Sequence, residues 1–113
     1  MKMILAFIKH RKFDDVMLAL HKIEGLTGVS SSNIQGFGRD RSRHGPKEEP
    51  EVSMGVQPHI KLEIACRVEL VAEVLSTITE AAQTGLRGDG KIYVLPVDEA
   101  VRISSGERGE IAV

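Results

Sequence analysis

Seven consecutive residues, Gly85-Leu86-Arg87-Gly88-Asp89-Gly90-Lys91, carry the densest chemical signal in the chain. They fit the opening positions of the phosphate-loop pattern, in which glycine-rich backbone cradles phosphates and a lysine adds charge. The next position should hold Ser or Thr to bind magnesium, and here it is Ile92. The context is also reversed. A nucleotidase loop leads from a strand into a helix and uses the helix N-terminus, whereas this one leads from a helical pattern into a strand. It is therefore not a Walker motif. Three glycines still let backbone N–H groups converge on an anion beside Lys91, so both a phosphate site and a plain turn remain open.

Similar chemistry occurs at Gly36-Phe37-Gly38-Arg39, where two glycines allow close approach of a planar ligand and Arg39 can engage an acidic group through two parallel hydrogen bonds. Arg102, Ser104, Ser105 and Gly106 form a third donor-rich patch near the C-terminus.

Catalytic and metal-binding patterns are weaker. His10, His21, His44 and His59 could in principle join Asp40 or Glu51 around a cation, but no two histidines sit at a helical or hairpin ligand interval, and solvated surface histidines are the simpler account. His44, inside a polar segment, keeps a divalent-cation reading in play. Cys66 lies in an alternating apolar run with no positioned base nearby in sequence, which describes a packed thiol rather than a nucleophile. Asp14 and Asp15 suit the first turn of a helix better than an acid pair. No nucleophile and base come together, and the expectation is a binding protein, not an enzyme.

The elements that must hold these residues follow from periodicity. Met3 to Ile8 is a compact apolar strand, broken by the basic cluster Lys9, His10, Arg11 and Lys12. Phe13, Val16, Met17 and Leu20 fall at helical spacing, and Gly25 and Gly28 end that helix. Val29 to Phe37 reads as a second strand. The order then repeats: Ile60, Leu62, Ile64, Cys66 and Val68 alternate as in a half-buried strand, Val71, Val74, Leu75, Ile78 and Ala82 make a helical stripe, and Ile92 to Leu95 is a short strand. Two strand-helix-strand units define an α+β class, a ferredoxin-like double βαβ sandwich with an antiparallel sheet and both helices on one face. The other sheet face is apolar enough to need cover from another subunit, which predicts an oligomer.

Between the halves, residues 39–57 lack apolar periodicity and carry four Lys or Arg and four acidic side chains with two glycines and two prolines. So long a structureless connection in a compact domain reads as a binding loop. Its charges are sorted, with Arg41, Arg43 and His44 early and Glu48, Glu49 and Glu51 late, offering a partner two electrostatic handles.

Composition narrows the partners. The 113 residues suit one domain, 1–113, with a tail from 97 onward. A formal charge of −1 with both signs interleaved argues against nucleic acid, which selects a basic face. No apolar run reaches the roughly 20 residues that span a bilayer, so any membrane contact runs through a transporter partner. A lone cysteine suits a reducing compartment, and the expected location is the cytoplasm.

Taken together, these pieces resemble the PII family of nitrogen-regulatory signal-transduction proteins along nearly the whole chain. The resemblance rests on Phe13-Asp14-Asp15-Val16, Gly36-Phe37-Gly38-Arg39, Lys61-Leu62-Glu63-Ile64, Ala82-Gln83-Thr84-Gly85 continued by Gly88-Asp89-Gly90-Lys91-Ile92, and Arg102-Ile103-Ser104-Ser105-Gly106-Glu107. It implies a ferredoxin-like homotrimer holding ATP or ADP in clefts between subunits. It further implies that Gly88, Asp89, Gly90 and Lys91 surround the phosphates, that Gly36, Gly38 and Arg39 lie at the loop base, and that Ser30 and Glu63 face the adenosine. The resemblance also implies that Arg102 comes from the neighbouring subunit. The implied partners are membrane transporters or metabolic enzymes, reached through residues 39–57.

Several positions depart from the family pattern. The tyrosine uridylylated in enteric members is matched by Val52, which has no hydroxyl to modify. Asp40 stands where a glutamine helps hold Mg2+ and 2-oxoglutarate; it suits a cation but repels a dicarboxylate. His59 replaces the lysine that pairs with that effector, exchanging a long, flexible ammonium for a shorter, planar imidazole. Ser104 replaces a second tail arginine, removing a phosphate contact and widening the expected preference to ADP or AMP. The rival expectation is a trimer of similar fold linked to metal tolerance or efflux, binding a divalent cation.

Overall fold

The computed structural model describes residues 1–36 and 57–113. The expectations at Gly38, Arg39, Asp40, Arg41, Arg43, His44, Glu48, Glu49 and Glu51 lie outside the described residues.

Strand β1 (Lys2–Lys9) alternates, sending Ile4, Ala6 and Ile8 into the core, until Lys9 at its end is buried as well. A single 3-10 turn at residues 10–12 reverses the chain into helix α1 (Phe13–His21). Asp14 and Asp15 occupy its first turn, where negative charge meets the positive end of the helix dipole. Strand β2 (Ser30–Gly36) follows, mostly exposed, and then β3 (Gln57–Cys66), helix α2 (Val71–Ala82) and β4 (Gly90–Pro96).

The sheet has the order β2-β3-β1-β4, and every pairing is antiparallel. α1 and α2 pack against each other and against one face, with Val16, Leu20, Val74, Ile78 and Ala82 meeting Ile4, Ala6, Ile8, Ile60, Leu62 and Ile64. Burying aliphatic side chains of this size is worth about 1.5–3 kcal/mol each. The ferredoxin-like arrangement expected from the two strand-helix-strand units is therefore present.

Boundaries differ in instructive ways. β1 runs on through Lys9, which was expected to break it, because Lys9 pairs with His59. β4 starts at Gly90 rather than Ile92, since Gly90 and Lys91 pair with Ile8 and Phe7. β3 stops at Cys66, and Val68 turns out into an exposed 3-10 turn.

The opposite sheet face carries Met3, Leu5, Phe7, Ala65, Tyr93 and Leu95 with no helix over it among the described residues. Phe7 and Tyr93 meet edge to face at 6.0 Å, and Tyr93 is 50% exposed.

Candidate functional site

The glycine loop leaves α2 at Ala82 and turns back to start β4, so the sequence must reverse direction in a few residues. Gly85 and Gly88 adopt φ of +79° each and Gly90 of +106°, backbone states that side chains disfavour. At Gly90 the restriction is also steric. A Cβ there would lie 1.6 Å from the carbonyl oxygen of Phe7, which holds the loop close against β1.

Asp89 organises the turn from within. Its Oδ2 accepts the Thr84 N–H at 2.9 Å and the Gly85 N–H at 3.3 Å, and its Oδ1 accepts the Thr84 hydroxyl. Thr84 Oγ1 in turn accepts the Leu86 N–H at 3.0 Å. Lys9 reaches in from β1, with Nζ 3.3 Å from Asp89 Oδ1 and donating to Thr84 Oγ1 at 3.3 Å. Lys9 is the buried charged residue among those described, at 6% exposed. Partial burial pushes the Asp89 carboxyl up, but the hydrogen bonds from Thr84 and the nearby ammonium of Lys9 outweigh it and hold the group below the usual carboxylate range.

β3 supplies a second tie. His59 Nε2 lies 3.2 Å from the Gly88 carbonyl and so donates to it. His59 is opposite both Lys9 and Ile34, and the Gly36–Gln57 pair that opens residues 37–56 is two positions further along. At the usual strand rise the glycine loop and the base of that segment are separated by about 7 Å along the sheet. Ser30 and Glu63 are direct cross-strand partners, both exposed and on the same sheet face as His59. Lys91 is exposed at the start of β4.

Arg102 is elsewhere. β4 carries the chain from the loop to the far end of the sheet, where Val97 N–H donates to the Met1 carbonyl. There Arg102 bonds within the tail, with Nε 3.7 Å from Glu107 and a guanidinium N–H donating to the Ile111 carbonyl at 3.4 Å. Five strand residues, 92–96, separate Lys91 from the tail, a span of about 20 Å from 91 to 97. Within one chain Arg102 and Lys91 are not brought together.

Cys66 is 2% exposed in the core, and burial pushes its thiol up, the N-terminal ammonium opposing this weakly. Among the described residues no three His, Cys, Asp or Glu side chains gather as a metal site, and no helix is long and apolar enough to cross a membrane. Two contributors had no role assigned from sequence. Lys9 reads from sequence only as part of the basic cluster that breaks the first strand, and Thr84 only as the first residue of the glycine-rich loop 84–91. The Thr84–Leu86 bond is an ordinary Ser/Thr turn, but Asp89 accepts from N–H groups four and five residues before it, an interval that no local turn rule marks.

Fold and site define a ferredoxin-like α+β protein with a glycine loop braced by Thr84, Asp89 and Lys9 at one end of its sheet. Residues 1–107 match the family model for Nitrogen regulatory protein P-II. The chain belongs to the P-II family. It is 42% identical, over the full length of both chains, to Nitrogen regulatory protein P-II of Rhodospirillum rubrum, and 41% identical to that of Haemophilus influenzae over the same extent. A Nitrogen regulatory protein P-II homolog of Arabidopsis thaliana is 41% identical over 110 residues, 95% of this chain and 55% of that one. The family is one of signal-transduction regulators.

Proposed function

We propose that this protein is a cytoplasmic homotrimeric regulator that binds ATP or ADP between subunits and uses residues 39–57 to control a transporter or metabolic enzyme. The observation that carries this reading is the placement of the glycine loop. It sits against His59, two positions from the Gly36–Gln57 base, so a phosphate at Gly88–Lys91 touches the structure from which the partner-binding segment departs. Gly36 stands at that base, and Ser30 and Glu63 offer polar groups to an adenosine. The separation of Arg102 from its own loop supports a cleft shared between copies, with the arginine supplied by a neighbour. The uncovered apolar sheet face supports the same assembly. Ligand affinity that differs between conformations of residues 39–57 is what would shift their population.

Calorimetric titration with ATP, ADP and AMP, each with and without Mg2+ and 2-oxoglutarate, tests the reading. The expected result is saturation near one nucleotide per chain, abolished by Lys91→Ala. A 2-oxoglutarate response weaker than the nucleotide response is expected from Asp40 and His59. Absence of any adenine-nucleotide binding refutes the proposal.

A further inference from the structure

The phosphate-site reading leaves one buried charge without a task. Lys9 closes β1 with its ammonium directed inward at Asp89 and Thr84 rather than at solvent. Those two residues engage the N–H groups of Thr84, Gly85 and Leu86, so the first half of the glycine loop spends its donors internally and a phosphate is left the second half. The same geometry places a carboxylate next to the proposed phosphate position, where uncompensated negative charge repels the ligand.

We propose that Lys9 is a positioning residue that clamps the glycine loop through Asp89 and Thr84 and neutralises the Asp89 carboxylate, so that residues Gly88–Lys91 can receive a phosphate. The inference rests on the nucleotide reading above. Lys9 acts through the loop and not on the ligand. Asp89 is an internal brace, although its place in the motif suggests a direct phosphate contact. The other charged or titratable groups around the clamp are His59, which bonds the Gly88 carbonyl from β3, and Arg87 and Lys91 in the loop and β4. Asp89 itself is held by Thr84, Gly85 and Lys9.

The test is a double-mutant cycle read in two ways. ADP affinity is measured for the wild type, Lys9→Met, Asp89→Asn, Lys9→Met with Asp89→Asn, and Lys9→Arg, and amide exchange at residues 84–86 is followed in the ligand-free proteins. Lys9→Met should weaken ADP binding about tenfold, within the usual range of coupling between sites, and accelerate exchange at residues 84–86. The double variant should bind no worse than the weaker single variant, and Lys9→Arg should recover part of the loss. Wild-type affinity and exchange in Lys9→Met overturn the proposal. So do losses that multiply in the double variant, because they place Lys9 on the ligand directly.

Should Lys9→Met fail to fold, Thr84→Val decides, since it removes the shared hydroxyl without stranding a buried charge. Weakened ADP binding with faster exchange supports the clamp, and wild-type behaviour overturns it. Failure of the nucleotide reading would appear separately, as a wild type that does not bind ADP. The clamp is then judged on exchange alone: acceleration at residues 84–86 in Lys9→Met or Thr84→Val supports it, and unchanged exchange overturns it.

Discussion

Gly90 stands against the backbone of Phe7 so closely that a methyl group on its Cα would fall 1.6 Å from the Phe7 carbonyl oxygen. The neighbour is main chain inside a paired strand, with no flexible end to swing aside. Gly85 in the same loop shares a positive φ but has open space where a Cβ would go.

The two glycines should therefore respond very differently to alanine. Gly85→Ala should lose about 1 kcal/mol, the strain of a left-handed backbone alone. Gly90→Ala must also displace the start of β4 from β1 and should lose at least about 3 kcal/mol. Chemical denaturation of the two variants beside the wild type measures the difference, and equal losses would contradict the close approach.

Asp89 makes a pH prediction whose sign is fixed. Its carboxyl is held below the usual range in the folded chain, so its contribution is fully present above the ordinary carboxylate pKa of about 4 and is lost as pH falls through the lower folded value. Asp89→Asn should be less stable than the wild type at neutral pH, and the gap should close progressively below about pH 4. Thermal unfolding across that window reads it directly. A gap that is constant with pH would show that the ionised carboxylate is not what stabilises the loop.

The uncovered sheet face predicts an assembly defect without a folding defect. Tyr93 is half exposed in the isolated chain, so Tyr93→Glu should cost the single chain little. In a trimer packed through that face it would bury an unpaired charge. Sedimentation should find three chains together for the wild type and smaller species for Tyr93→Glu, with similar far-ultraviolet dichroism. An unchanged oligomer would move the interface elsewhere.

Much of the fold is legible from local pattern. The alternation from Ile60 to Cys66 and the stripe of Val71, Val74, Leu75, Ile78 and Ala82 each report one buried face, with Val71 and Leu75 partly buried at its margin and the others buried, while Val68, read as the end of the alternation, is exposed. Where reading failed, the deciding partner was distant in sequence. Lys9 looks like a surface lysine until Asp89 and Thr84, from the other end of the chain, close around it. Gly90 and Lys91 look like loop because glycine is a poor strand residue, and only the pairing with Ile8 and Phe7 draws them into β4. The glycine loop itself was visible as a motif. Its inward-facing half was not, because hydrogen bonds from Thr84, Gly85 and Leu86 leave no trace in spacing.

The length of β4 has a consequence for inheritance. In the proposed trimer, a strand that carries Arg102 to the far end of the sheet from Lys91 would give each chain half of two sites rather than the whole of one. In a shared-cleft trimer, a chain with a ruined glycine loop still lends an intact tail to its neighbour, and a chain with a ruined tail still offers an intact loop. Two differently damaged copies expressed together would rebuild some working sites that neither makes alone. A single damaged copy among healthy ones would spoil a site belonging in part to a neighbour.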